Sequence, residues 1–122
     1  MLYLGIMLAG GSGALLRFAL GRMAVNMGWT ALPFGTLAAN VVGCFLMGYL
    51  AAVMSARWEA SENMQIIVFT GFLGGFTTFS AFSYETLSLL QNDGLARASV
   101  YLLLSVGLCL LACLAGLTLG RQ

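Results

Sequence analysis

The residues with the most distinctive chemistry lie in one stretch, TGFLGGFTTFSAFSYE, at positions 70–85. The adjacent glycines Gly74 and Gly75 weaken a helix, and a helix that is interrupted at membrane depth exposes backbone carbonyls that can coordinate a cation such as sodium. Beyond them, Phe79 and Phe82 share one helical face, and the electropositive edges of their rings can contact an anion. The stretch therefore predicts carbonyl oxygens for a cation and ring edges for an anion.

Two further polar lines occur at helical spacing. Thr36 precedes Asn40 by one turn, and Tyr101, Ser105 and Cys109 follow one another at four-residue intervals. The simplest role of a single neutral polar group inside a membrane is a hydrogen bond to a neighbouring helix, which contributes about 0.6 kcal/mol on average. Together with the hydroxyls of the 70–85 stretch, however, three such lines favour a path of hydrogen-bonding groups for a desolvated ion. No carboxylate stands near the middle of these stretches, as a proton-coupled carrier would need.

The composition is that of a membrane protein, with 61% hydrophobic and 7% charged residues among 122. Four apolar stretches, 2–24, 31–54, 64–90 and 95–119, each reach the roughly 20 residues that a membrane-spanning helix needs. Trp29 and Trp58 lie in the polar joints as interfacial anchors. The first stretch lacks a cationic start and a cleavage site, so it is interpreted as a retained span. We predict an all-α integral membrane protein with one domain, four transmembrane helices and a third helix broken near its middle.

Charge and residue types exclude several classes of function. The formal net charge of +1 gives no basic surface for nucleic acid. The chain has no histidine, and neither paired carboxylates nor a nucleophile–base couple is apparent, so an enzyme is not expected. Cys109 and Cys113 lie one helical turn apart, but no histidine or nearby carboxylate completes a metal site. Small apolar packing is the preferred interpretation of these cysteines and of Cys44.

The few arginines are almost evenly divided between the two sides of the membrane. Arg22 and Arg97, with Arg17 just inside the first span, share one side, and Arg57 and Arg121 share the other. The positive-inside rule therefore selects no orientation. Either a small protein simply has few arginines, or copies insert in both directions and pair antiparallel. Four short helices enclose little polar space, which favours a homo-oligomer with closed symmetry.

Three segments resemble the Fluc (CrcB) fluoride channels of microbial membranes: GGSGALLRF in the first span, GTLAANVVGCFLMG in the second, and the 70–85 stretch in the third. The resemblance covers nearly the whole chain, and its third segment is the most specific. It implies a dual-topology antiparallel homodimer with two pores in the bacterial inner membrane, which moves fluoride ions. It also implies that the backbone carbonyls of Gly74 and Thr77, from both subunits, hold a structural Na⁺, and that Phe79 and Phe82 line the pores.

The resemblance implies roles for polar residues as well. The fluoride pathway would be lined by four side chains from the second and fourth spans: Asn40, Thr36, Tyr101 and Ser105. Cys109 stands where family members often have Ser or Thr, and a thiol is a weaker hydrogen-bond donor. Glu85 is similar to a vestibule acid, and Arg17 to the arginine of the first helix, with a vestibule or structural role.

The implied activity is passive, selective fluoride export that protects the cell from fluoride toxicity and needs no cofactor other than sodium. Two alternatives stay open. A dual-topology small multidrug exporter would need a carboxylate in the membrane part of the first helix, and positions 2–16 contain none. A non-transporting membrane assembly subunit would pass no ions when it is placed alone in vesicles.

Overall fold

The computed structural model describes residues 1–56 and 60–122, with the side chains of positions 55 and 56 left aside. Arg57 and the predicted anchor Trp58 lie outside the described residues. The regular elements in these two ranges are all helical, in the following order: α1 (Leu2–Asn26), α2 (Phe34–Ala56), α3 (Glu62–Ile66), a π-helix (Ile67–Leu73), α4 (Gly74–Phe76), α5 (Phe79–Asn92) and α6 (Leu95–Gly120).

Four spans are long and apolar enough to cross a membrane: Leu2–Asn26, Phe34–Met54, Glu62–Asn92 and Leu95–Gly120. The third of them combines α3, the π-helix, α4 and α5. By length and composition, this confirms the prediction of an all-helical chain with four membrane-spanning segments. Large apolar side chains such as Leu15, Phe18 and Leu110 are exposed on the helix surfaces, as expected for groups that meet lipid.

Two extended residues, Thr77 and Thr78, separate α4 from α5; they are called the extended pair below. The sequence analysis placed the helix interruption at Gly74 and Gly75, but both glycines are helical. The helical hydrogen bonds continue past them, since Thr77 N–H donates to Leu73 O at 2.9 Å. The chain turns extended only afterwards, and α5 begins where the Thr78 hydroxyl accepts from Ala81 N–H as an N-cap. Threonine capping, rather than glycine flexibility, therefore fixes the position of the extended pair.

α2 and α6 pack with their backbones in contact. A Cβ atom added at Gly116 would overlap the carbonyl oxygen of Phe45, and one added at Gly48 would overlap that of Cys113. At Gly120 the added atom would meet Tyr49 O at 2.7 Å. These small residues let the two helices approach closely.

α1 packs in a similar way against the third span. The nearest neighbours of a Cβ atom at Gly13 would be Phe72 O and the amide nitrogen of Phe76, and at Gly75 the nearest would be Gly10 O. This contact fixes the π-helix and α4 against the middle of α1. It therefore also positions the extended pair, which follows directly.

The core nearest the extended pair is formed by Leu37, Phe82 and Tyr101, one residue from each of α2, α5 and α6. Tyr101 is fully buried, and Phe82 is 9% exposed. Phe82 of α5 and Tyr101 of α6 are therefore placed by packing in the core and not by a loop.

Candidate functional site

A cavity of about 300 Å³ lies between α2, the extended pair, α5 and α6. It brings together six of the residues predicted from the sequence: Asn40, Thr77, Phe79, Phe82, Ser105 and Cys109. We call it the first cavity. The residues come from three spans and are far apart in the sequence. The fold brings them together, which their spacing in the sequence could not establish.

Asn40 binds the extended pair through both ends of its side-chain amide. Its Nδ2 donates to Thr78 O at 3.0 Å, and its Oδ1 accepts from Thr78 N–H at 2.7 Å. The side chain thus replaces the backbone partners that Thr78 loses when the helix is interrupted. An asparagine amide carries two hydrogens, and only one is used in this pair, so the other can serve a ligand in the first cavity.

The extended pair redirects two amide groups that a continuous helix would use. In an α-helix the N–H of Thr78 would bond Gly74 O, but here it donates to Asn40. The N–H of Ala81 would bond Thr77 O, but here it donates to the Thr78 hydroxyl at 3.2 Å. The two carbonyls predicted from the resemblance, those of Gly74 and Thr77, are therefore among those whose helical donors are diverted. Carbonyl oxygen is a ligand type that suits a hard cation.

A second cavity, of about 320 Å³, contains Thr36 and Glu85 and is bordered by Trp29 and Leu89. Glu85 accepts two hydrogen bonds there, from the Thr36 hydroxyl to Oε1 and from the Tyr101 hydroxyl to Oε2, each at 2.7 Å. Both lengths are ordinary for hydrogen bonds from a hydroxyl to an oxygen acceptor. The carboxylate thus orients two of the predicted pathway hydroxyls toward itself.

An aromatic pair lies between the two cavities. The rings of Phe82 and Tyr101 are 5.6 Å apart between centroids and tilted by 49°. Phe79 extends the group, with its centroid 5.7 Å from that of Phe82. Phe79 is 79% exposed, whereas its two neighbours are buried. The predicted aromatic residues therefore differ: one ring is part of the core and one faces outward from this chain.

Ser105 is 4% exposed, and it is one of the residues that line the first cavity. In the described parts of the chain, Ser105 Oγ is the buried side-chain polar atom without a hydrogen-bond partner of good geometry. The Tyr101 hydroxyl, one helical turn earlier, is its polar neighbour. A buried polar atom without a partner costs about 1–3 kcal/mol. A ligand or water in the first cavity would remove that cost.

Arg17 is a predicted residue that lines neither the first nor the second cavity. Arg17 Nε donates to Gly75 O at 3.3 Å, so the arginine points into the bundle and binds the carbonyl end of α4. Sequence reasoning did not single out Thr78 or Cys44 as site residues. The N-cap preference of threonine before an apolar run could have identified Thr78, whereas the place of Cys44 in the first cavity depends on the packing of α2 against α6.

Comparison with known families adds an independent finding to this geometry. The family described as "CrcB-like protein, Camphor Resistance (CrcB)" matches residues 4–117. The chain belongs to the CrcB family. The match covers all four spans, so the assignment that the three sequence segments suggested is confirmed.

Curated CrcB relatives align with almost the whole chain and share the name "Fluoride-specific ion channel FluC". The relative from Rhizobium etli (strain CIAT 652) is 42% identical over 116 residues, which cover 95% of this chain and 93% of the relative. The one from Rhizobium meliloti (strain 1021) is 43% identical over 119 residues, with 95% of each chain covered. The one from Acidobacterium capsulatum is 38% identical over 122 residues, with 100% and 98% covered.

Proposed function

We propose that this CrcB protein is a passive, selective fluoride channel that lets fluoride leave the cytoplasm down its electrochemical gradient. The observation that carries the proposal is a cavity lined by Asn40, Phe82 and Ser105, together with the buried Ser105 hydroxyl, which has no hydrogen-bond partner of good geometry among the described residues. Neutral donors and a ring edge suit a small anion that has lost part of its water. The name that the relatives bear agrees with this chemistry.

The proposed path leads from the first cavity, past the Phe82–Tyr101 ring pair, to the second cavity. Asn40 and Ser105 supply donors on one side of the ring pair. On the other side, the Thr36 and Tyr101 hydroxyls, which donate to Glu85 in this structure, would turn from that carboxylate to the ion. A fluoride ion would replace water contacts by these donors step by step. Larger halides would fit the narrow passage poorly, so its width and its donors together would give the selectivity.

The driving force would come from the membrane potential, not from a cofactor or ATP. Hydrogen fluoride enters an acidified cell as a neutral molecule and dissociates inside, so the anion is trapped. A negative interior supplies about 2.3 kcal/mol per charge per 100 mV for its exit. The protein would then act as a channel in the bacterial inner membrane and not as an enzyme.

The working unit is proposed to be a dual-topology antiparallel homodimer with two pores and a structural Na⁺ at its centre. Gly74 and Phe79 are both exposed on the single chain, so a second copy can reach them. The carbonyls of Gly74 and Thr77 fit a sodium ion because their helical donors are diverted. The balanced arginines agree with insertion in both orientations.

The exporter alternative has less support. It needs a carboxylate in the first helix, and α1 (Leu2–Asn26) contains none. The assembly-subunit alternative predicts that the pure protein passes no ions. Fluoride efflux from liposomes, measured against chloride, separates both alternatives from the channel.

The residue-level test is Phe82→Ile in liposomes that contain the purified protein. We expect most fluoride flux to be lost while the dimer stays folded, because the isoleucine side chain lacks a ring edge. Phe18→Ile, on the exposed surface of α1, is the matched control and should keep its flux. Undiminished flux in Phe82→Ile would remove this ring from the pathway, and a wild-type protein that passes no fluoride would overturn the proposed function.

A further inference from the structure

Three thiols line the first cavity: Cys44 from α2, and Cys109 and Cys113 from α6. All three cysteines are free and partly exposed. They lie on the cavity wall beside Met47 and Val106, next to the polar groups of the proposed pathway. A reagent that enters this cavity therefore meets thiol sulfur as well as hydroxyl and amide groups.

Cys44 and Cys109 lie at one level of the α2–α6 contact. Gly48 lies against Cys113 O, and Cys44 and Cys109 each precede these residues by one helical turn. Cys113 follows Cys109 by one helical turn and lies at the level of Gly48. The packing of α2 on α6 thus presents two sulfur atoms to the same point of the cavity.

The surroundings restrict which metal ions such a pair can bind. In the described parts of the chain no group of three histidine, cysteine or acidic side chains is placed to hold a metal. A zinc site almost always takes three or four protein ligands, and calcium and magnesium require oxygen. Two thiolates without further ligands suit soft ions that accept linear two-coordinate binding, namely Cu(I), Ag(I) and Hg(II).

We propose that Cys44 and Cys109 form a two-thiolate site for a soft, two-coordinate metal ion in the first cavity. With Hg(II), two S–H bonds break and two Hg–S bonds form, so one Hg²⁺ gives a neutral Hg(SR)₂ unit and releases two protons. With Ag(I) or Cu(I), the same exchange gives an anionic bis-thiolate and also two protons. No oxidant or reductant takes part.

If the proposed function holds, occupancy of this site obstructs fluoride. The metal lies in the cavity that also contains Ser105 and Phe82, so it fills space that the ion would cross. An anionic silver bis-thiolate adds charge repulsion. This part of the inference rests on the proposed function, whereas binding of the metal does not.

The binding test uses purified wild-type protein and one mercuric ion per chain, followed by a count of thiols that still react with a maleimide. Two of the three thiols should be protected. In Cys113→Ala, one mercuric ion should still protect both remaining thiols. In Cys44→Ala and in Cys109→Ala, it should protect only one. Zinc should protect none. The site is wrong if Cys113→Ala protects only one thiol, if Cys44→Ala still protects two, or if zinc protects as well as mercury.

The flux test uses the same variants in liposomes, each compared with its own flux before the metal is added. Mercury should stop most fluoride efflux of wild type and Cys113→Ala, and excess monothiol should restore it. Cys44→Ala and Cys109→Ala should be much less sensitive. If two thiols are protected but the protein passes no fluoride, the site stands and the proposed function fails. If fluoride passes and no pair is protected, the function stands and the site fails.

Discussion

Two glycine-lined helix contacts in this molecule have the same local form and different consequences. In the α2–α6 contact, Gly116 lies against Phe45 O, and in the contact of α1 with the third span, Gly13 lies against Phe72 O. The first joins two regular helices of 23 and 26 residues. The second joins a regular helix to a span that is π-helical, then α-helical, then extended.

Long-range polar bonds distinguish the third span, which takes part in the second contact. Arg17 binds Gly75 O from α1, and Asn40 binds Thr78 from α2. Both partners reach backbone groups at or beside the extended pair. The comparison shows that glycines in a membrane helix indicate close packing but do not by themselves indicate function. A side chain that bonds the backbone of another span, in contrast, marks the place where that helix departs from regular α-helical geometry.

The largest effect should come from Gly116→Val. Overpacking against side chains costs about 1–3 kcal/mol, and here the neighbours are Phe45 O and the Tyr49 amide, which cannot rotate away. We therefore expect loss of the folded species in detergent, measured by size-exclusion chromatography and thermal unfolding. Gly107→Val on the same helix is the matched control, since nothing in this chain lies within 4 Å of a Cβ atom there. Equal behaviour of the two variants would contradict backbone contact.

Asn40→Ala should have the next largest effect. It removes both bonds to Thr78, and each buried backbone group left unpaired costs about 1–3 kcal/mol. Since the extended pair then loses its partner, we expect a lower melting temperature and fluoride efflux reduced by about tenfold or more, as 1.4 kcal/mol corresponds to a factor of ten.

The control for that variant is Asn92→Ala, whose side chain is exposed and bonds only Ser88 on its own helix. Its efflux and melting temperature should match those of the wild type. If Asn40→Ala retains full efflux, the extended pair does not need its partner from α2, and the proposed contrast between the two contacts is lost.

The smallest effect should come from Arg17→Lys. Lysine keeps the positive charge near the carbonyl end of α4 but lacks the Nε donor that reaches Gly75 O. A typical hydrogen bond contributes about 0.5–1.5 kcal/mol net, so we expect a small drop in melting temperature and modestly lower efflux. Arg22→Lys, at an exposed position, is the control. A severe loss in Arg17→Lys would show that the bond contributes more than packing to this contact.

Much of the architecture was predictable because lipid imposes simple rules on the sequence. The four spans follow from apolar length, and the predicted ends lie within three residues of the observed helix ends. The family follows from three short segments, and the polar residues follow from those segments and from the four-residue spacing of Tyr101, Ser105 and Cys109 in the fourth span. Six of the predicted site residues meet at one cavity, which lies between α2, α6 and the third span.

The rest depended on contacts between spans, which periodicity does not encode. The extended pair begins at Thr77 and not at the glycines, because Asn40 and the Thr78 hydroxyl supply partners there. The division of the polar residues between two cavities follows from Glu85, which binds hydroxyls of two other helices. The N-cap preference of threonine could have indicated the Thr78 cap, but no local pattern reveals the bonds of Asn40 and Glu85 to other spans.

The π-helix (Ile67–Leu73) has a consequence for insertions and deletions in this chain. A π-helical turn carries more residues than an α-helical one, so it accommodates extra residues while both flanking segments keep their faces. Deleting one residue there can be absorbed by a return to ordinary α-helical winding, so Gly75 and the aromatic residues of α5 keep their faces. The same deletion in an α-helical segment such as α1 would rotate everything downstream by about 100°. This chain therefore tolerates the loss of one residue best where its winding is widest.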